Sequence, residues 1–401
     1  MKVSAIETLR LPGRPNLLLC QVHTDQGLIG LGETSRGAAA VEAQIHDLVA
    51  PYLLGKDPRE IARHHKALMA SYLGFHSSST EVRAASVIDI ALWDILGQAL
   101  NQPLWLLLGG RCRERIRVYN TCAGYRYNTG SVARRSIRAD DPAPPRDGPY
   151  DDQVGFVHYP EELAQSLIEE GFGAMKIWPF DPYAEDSGGS FLSAADLEVA
   201  LDPWRRIRAA VGDRIEIMAE FHSLWNLEQA KRIACALEQY RPFWAEDPIR
   251  MCDAATLQEY GRCTSIPVCA SETLGGTYPY REILARQAAD IVMLDVGWCG
   301  GLTEAKKIAA LAEAYQRPVA PHDCNGPVVW VASIHLMAHI PNALVMEVVR
   351  AYYSTWYKDI LTALPAVKDG YVAPLDGPGL GTRLLPDLSR REGVMLRRSA
   401  L

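Results

Sequence analysis

Between Arg117 and Pro365 the chain repeats one pattern: a short apolar run, often closed by a polar or acidic residue, then a stretch with helical spacing. The runs are Arg117–Tyr119, Ala174–Ile177, Ile215–Ala219, Phe243–Ala245, Val268–Ala270, Ile291–Leu294, Val319–Ala320 and Leu344–Met346. Helical patterns at Glu162–Glu170, Asp196–Ala210, Leu227–Tyr240 and Thr303–Tyr315 separate several of them. Strands that alternate with helices must run parallel, because each helix carries the chain back to the same end of the sheet. Eight such units over roughly 250 residues predict an α/β fold with a TIM-type (β/α) barrel. An open doubly wound sheet would satisfy the same alternation, but no run leads into a glycine-rich nucleotide loop.

The residues before the barrel read differently. The first 37 read as strands, with LLLCQVHTDQGLIGLGET turning at Asp25-Gln26-Gly27. Helical spacing follows over Ala38–Leu53, from Asp57-Pro58 to about Leu73, and over Glu81–Leu100. The predicted organisation is an α+β capping unit over 1–116, a barrel over 117–365 and a tail over 366–401. The tail's run DGYVAPLDGPGLG cannot form a barrel helix and is expected to return to the cap. Arg126–Pro160, rich in Arg, Asp, Pro and Gly, is irregular and reads as either disordered or a lid over the barrel mouth.

Composition excludes several classes. Lys and Arg total 41 against 48 Asp and Glu, a net charge of −7, which disfavours nucleic acid or an anionic membrane as partner. No apolar run is long enough for a transmembrane helix, and MKVSAIETLRLPGRPN lacks the apolar core of a signal peptide, so a cytosolic protein is expected. Nine cysteines without a C-x-x-C pair read as reduced thiols.

The chemistry concentrates at the ends of the runs. Glu220 (IEIMAEFH), Glu246 (PFWAEDP) and Glu272 (PVCASET) recur at intervals of 26 residues, the length of one βα unit. Each is expected at the C-terminal end of consecutive strands, the face where such barrels carry their sites. One glutamate there is readily explained by solvent or a neighbouring cation; three converging acids call for a shared ion, and all-oxygen ligands favour Mg²⁺ over Zn²⁺. His322 (RPVAPHDCNGP) and Asp295 (DIVMLDVGWCGG) end neighbouring strands, so the carboxylate can fix the imidazole as a general base. His222 stands two residues beyond Glu220, on the same side of the chain. Lys176 (GAMKIW) points to the same mouth or snorkels to the surface. Glu347 (LVMEVV) is available to a substrate or to an ion pair with Arg350. A carboxylate substrate chelating Mg²⁺ would have its enediolate charge stabilised when the α-proton leaves. A second acid then protonates the carbon, giving racemisation, or a β-hydroxyl, giving loss of water.

Over essentially its whole length the sequence resembles the enolase superfamily, in the mandelate racemase-like subgroup. AASVIDIALWDILGQALNQPLWLLLGG, Ala84–Gly110, resembles the signature where cap meets barrel. The three acids, the Asp295/His322 pair and Glu347 match the subgroup's metal ligands, His-Asp dyad and strand-eight glutamate. Two departures stand out: Trp178 occupies the second position of the frequent Lys-x-Lys on strand two, and Glu220 replaces the usual Asp, one methylene shorter. Glu220-Phe221-His222 resembles the Asp-x-His of acid-sugar dehydratases such as those acting on galactonate, in which the strand-three histidine expels the β-hydroxyl.

The resemblance implies a modified (β/α)7β barrel, one Mg²⁺ per subunit, a homo-oligomer and a small-molecule sugar-acid substrate. It implies dehydration to a 2-keto-3-deoxy acid, with His322 as base, His222 as acid, Lys176 steadying the carboxylate or enolate and Glu347 hydrogen-bonding the substrate. Trp178 would contact substrate, and cap loops near Thr34-Ser35 and Gly74–Ser79 would select it. Racemisation, epimerisation or lactone cycloisomerisation through the same enediolate are the alternatives, and a non-catalytic sugar-acid-binding paralogue is the remote one.

Overall fold

The computed structural model describes residues 1–70, 78–125, 127, 129, 136–143 and 150–401. Three antiparallel strands open the chain: β1 (Val3–Leu11), β2 (Arg14–Thr24) and β3 (Ile29–Ser35). Gly27, at φ +80°, supplies the left-handed turn of the β2–β3 hairpin. The helix Thr80–Leu100 lies directly on β3 because Gly30 and Gly32 have no side chains there. A Cβ on either would stand 2.0 Å from a carbonyl oxygen, Ala91 O for Gly30 and Val87 O for Gly32. The second predicted cap helix is shorter than expected, Ile61–Met69, and its predicted continuation falls partly outside the described residues.

Eight parallel strands form a nearly closed barrel: β4 (Ile116–Thr121), β5 (Ala174–Ile177), β6 (Glu216–Glu220), β7 (Ala245–Glu246), β8 (Val268–Ala270), β9 (Ile291–Leu294), β10 (Val319–Pro321) and β11 (Met346–Val348). β11 pairs with β4, and backbone bonds between Val319 and the Asn342–Leu344 segment (2.9 Å each) draw the remaining edges together. The expected barrel is thus the observed one, and an open sheet is excluded. β12 (Tyr371–Val372) lies antiparallel to β4, and β13 (Met395–Ala400) pairs with β1, adding a fourth strand to the cap sheet.

Strand alternation divides the barrel's apolar residues in two. Tyr119, Met218, Trp244, Cys269, Met293 and Ala320 form one buried cluster, the packed interior. Their neighbours along each strand, such as Val118, Ile217, Ala245, Val268, Val292 and Val319, join the larger cluster against the surrounding helices.

Two segments depart from the sequence reading. Arg126–Pro160 is not wholly irregular, since Asp152–His158 is helical; residues 126, 128, 130–135 and 144–149 lie outside the described residues. Its described stretch around Ser136–Arg138 bonds to Glu185, Asp186 and Asp196, beside the helix Asp181–Ser187. The helix Pro327–His339 is buried along almost its whole length, so its sequence is apolar all round and carries no amphipathic period. All nine cysteines are free thiols, and among the described residues no helix is long and apolar enough to cross a membrane.

Candidate active site

The same alternation that fills the barrel places the site. Two residues beyond each interior side chain, on the same face of its strand, stand Thr121 above Tyr119, Glu220 above Met218, Glu246 above Trp244, Asp295 above Met293 and His322 above Ala320. Lys176 and Glu347 follow Ala174 and Val345 in the same way. The apolar core ends where this polar layer begins.

Glu220 and Glu246 lie directly opposite one another in the β6–β7 register. Glu272 does not continue that row, because the register partner of Glu246 is Cys269 and Glu272 stands two residues past the end of β8. Equal sequence spacing therefore does not mean equal strand position. The loop nevertheless brings its carboxylate back, so that one oxygen from each glutamate lies within 4.8 Å of the others. That spacing and the all-oxygen donor set suit a hard divalent ion.

Charge at the mouth is strongly unbalanced. Glu220, Glu246, Asp247, Glu272, Asp295, Asp323 and Glu347 surround the cations Lys176, His222 and His322, and Arg83 acts on Asp295 and Glu272 from the cap side. Lys176 is fully inside the barrel, with Nζ 2.5 Å from Glu246 Oε1, 3.0 Å from Glu220 Oε2 and 3.1 Å from Glu347 Oε1. The snorkelling alternative is thereby excluded. Burial alone would strip its proton, but the carboxylates of Glu246 and Glu347 hold it charged well above the ordinary lysine range. For Glu220 burial is outweighed by Lys176 and His222, which keep it below its ordinary value.

His322 Nδ1 bonds to Asp295 Oδ2 at 2.6 Å, and its Nε2 lies 3.0 Å from Glu272 Oε2. Asp295 is fixed in turn: Gly297 N–H donates to Oδ1 (2.7 Å) and Asn325 Nδ2 donates to Oδ2 (2.5 Å). Burial opposes charge on this imidazole, but Glu272, Glu347 and Asp295 hold it protonated well above the usual range. The Trp298 ring lies tilted against it, centroids 5.1 Å apart.

His222 projects from the far side of the barrel, four strands from His322. Its Nδ1 bonds to Asp181 Oδ2 at 2.7 Å. Its backbone N–H, with that of Phe221, donates to Glu220 Oε1 at 2.7 and 3.0 Å. Burial lowers its proton affinity, but Asp181 and Glu220 overrule it and raise the imidazole to about 9.

Glu347 makes no ion pair with Arg350, contrary to one expectation; Arg350 turns to Asp152 and Glu170. Glu347 instead accepts from the Thr121 hydroxyl and from the Asp323 N–H (2.6 Å). Trp178 is buried, edge-on to His222 and packed against Phe156. Thr34 and Ser35, expected near the substrate, stand where the cap meets the barrel loops. Both are buried, and their hydroxyls donate to Gly297 O (2.8 Å) and Asn325 Oδ1. The cap strand ends against barrel loops, so its hydroxyls satisfy the carbonyls it covers. Of the Gly74–Ser79 loop, Gly74 to Ser77 lie outside the described residues.

Comparison with known proteins agrees with this geometry. Residues 159–388 match the model of the enolase C-terminal domain-like family, and residues 9–109 match that of the mandelate racemase / muconate lactonizing enzyme N-terminal domain. The chain belongs to the enolase superfamily. Within that superfamily it is similar to a mandelate racemase subgroup enolase from Agrobacterium tumefaciens (46% identity, TM-score 0.87, covering 100% of this chain and 99% of the other). A Sargasso Sea environmental enolase is 43% identical (TM-score 0.88, with the same coverage). Among characterised relatives it is 29% identical to the D-xylonate dehydratase of Haloferax volcanii, over 100% of this chain and 90% of that one.

Reading the sequence alone missed Asp181, Asn325, Thr121 and the Asp247–Ser271 pair (2.7 Å). Asn325 stands three residues beyond His322, and Asp181 five beyond Lys176. Polar residues just past a strand end that already carries a site residue were the available signal.

Proposed function

We propose that this superfamily member is an acid-sugar dehydratase. The observation that carries the reading is the pair of Asp-backed histidines, His322 against Glu272 and His222 beside Glu220, on strands four apart in an eight-stranded barrel. The similarity to a D-xylonate dehydratase supports it.

Glu220, Glu246 and Glu272 would hold a single Mg²⁺, which supplies positive charge beside the substrate carboxylate as negative charge develops there. Asp295 keeps the proton on His322 Nδ1, so with Glu272 otherwise engaged Nε2 is the basic nitrogen. That nitrogen takes the C2 proton, and the C–H electron pair becomes the enediolate. His222, held through Nδ1, presents its other ring nitrogen to the 3-hydroxyl and donates a proton as the C3–O bond breaks, releasing water. Ketonisation of the resulting enol gives the 2-keto-3-deoxy acid. Lys176 keeps the floor of the site cationic, and Trp178 forms the wall beside His222. Assembly as a homo-oligomer belongs to the same proposal.

The test is a library of aldonic and aldaric acids incubated with the Mg²⁺-loaded protein in D₂O. Expected is a 2-keto acid from at least one member. Deuterium entering C2 with no keto acid anywhere would reject dehydration in favour of epimerisation or cycloisomerisation. Neither product nor exchange across the library would favour a binding protein.

A further inference from the structure

We infer that Asp181 is a positioning residue for His222, forming a second His-Asp dyad that commits the enediolate to loss of its hydroxyl. The inference deepens the dehydratase reading and rests on it.

Three observations carry it. First, the His222 backbone is held independently of its ring. His222 and Ser223 adopt left-handed φ values of +49° and +58°, unfavourable for residues with a Cβ. The Glu220 carboxylate fixes the turn through the Phe221 and His222 N–H groups, and Asp247 O does so through Ser223 N–H at 2.8 Å. Those bonds place the Cα and Cβ but leave rotation about the side chain free.

Second, Asp181 removes that freedom. It is the first residue of the helix Asp181–Ser187, followed by Pro182, and is 4% exposed. Its Oδ2 holds the ring through Nδ1 at 2.7 Å, while Trp178 meets the ring edge-on at 5.6 Å and 79°. A carboxylate on Nδ1 selects one tautomer and directs the remaining nitrogen away from Asp181. Third, Asp181 opens the helix that follows β5 and His222 stands two residues past the end of β6, so the pair depends on two neighbouring strand ends and not on one local turn.

The chemical consequence is a partition. Once His322 has taken the C2 proton, the enediolate either recovers a proton at C2 or loses the 3-hydroxyl as water with a proton from His222. A correctly aimed His222 favours the second path; a loosely held ring favours the first. Asp181 touches neither reacting bond and acts only through the ring it holds.

The experiment uses the full-length Mg²⁺-loaded enzyme with a sugar acid that it turns over, and Asp181→Asn, Asp181→Glu and His222→Asn variants. In Asp181→Asn, keto-acid formation is expected to fall about 10²-fold. Deuterium washed into C2 of recovered substrate should rise at the same time, and Asp181→Glu should regain part of the loss. A 3-deoxy-3-fluoro analogue, whose fluoride leaves without a proton, should lose less than about 5-fold. In ¹⁵N-histidine spectra the Nδ1–H signal of His222, assigned by its absence in His222→Asn, should be lost or moved in Asp181→Asn while that of His322 stays. Unchanged His222 signals, or exchange falling in step with elimination, would overturn the positioning role. Exchange without keto acid in the wild-type protein would instead overturn the dehydratase reading, and the ¹⁵N spectra would still decide whether Asp181 holds the ring.

Discussion

The two histidines at the barrel mouth are built to different standards of rigidity. On the β10 side, His322 is 6% exposed in its side chain, and Asp295 behind it receives hydrogen bonds from Asn325 and Gly297. The cap adds a further layer there. Ser35 donates to Asn325, Thr34 donates to Gly297 O, and the Glu33 carboxylate accepts from Val328 and Val329 N–H (3.0 and 3.1 Å) at the start of Pro327–His339. On the β6 side, the His222 side chain is 25% exposed, and one buried aspartate from the helix after β5 holds its ring. The difference suits the two tasks proposed. Taking a proton from carbon tolerates little misalignment, whereas an acid that spends its proton each cycle needs a route to solvent.

The comparison breaks first if both histidines prove to serve one step. His322→Asn should abolish both deuterium exchange at C2 and keto-acid formation, by more than about 10³-fold, while His222→Asn should suppress keto acid by about 10²-fold and spare exchange. NMR of one substrate in D₂O reads both. Parallel losses in the two variants would make the sides equivalent.

A smaller effect tests the clamp. Ser35→Ala and Asn325→Ala leave the dyad in place but remove donors behind it, so kcat should fall about 10-fold or less, with KM nearly unchanged and exchange and elimination falling together. An effect on elimination alone would assign these residues to the other side.

The gentlest expectation concerns stability. Burial pushes Glu33 up to about 8, and burial likewise pushes Asp89 and Asp94, on the helix beneath it, up to about 7. Each binds its proton more tightly folded than unfolded, where the ordinary values are 4.5 and 3.8. Their stabilising contribution is therefore complete below those ordinary values and is lost as pH rises through about 7 to 8. Urea midpoints measured from about pH 5 to 8.5 should decline, and Glu33→Gln should flatten part of the slope. A slope unchanged by Glu33→Gln would remove that residue from the seam's titration.

Much of this was legible beforehand for a physical reason. Short apolar runs closed by acids are what a barrel strand must look like when its interior is packed and its end is polar, so Glu220, Glu246, Asp295, His322 and Glu347 announced themselves. Glu272 was found through its spacing, although its strand position differs from that of the other two. Asp181 and Asn325 carry only the faint signal of a polar residue just past a strand end, because their partners His222 and Asp295 stand on neighbouring strands. Thr34 and Ser35 were assigned to substrate because the direction of a cap side chain at the seam depends on docking between distant segments. The helix Pro327–His339 escaped for the opposite reason: wholly buried, it has no polar face to reveal a period.

The pairing of β1 with β13 also has a bearing on biosynthesis. Ala5 lies opposite Ala400, so the opening strand of the cap sheet gains one neighbour only from a strand made after the whole barrel. At about 5–20 residues per second, the 395 residues that separate the two take roughly 20–80 s to make, with the whole barrel among them. The nascent chain must therefore keep that edge of β1 unfilled for as long as the barrel takes to make.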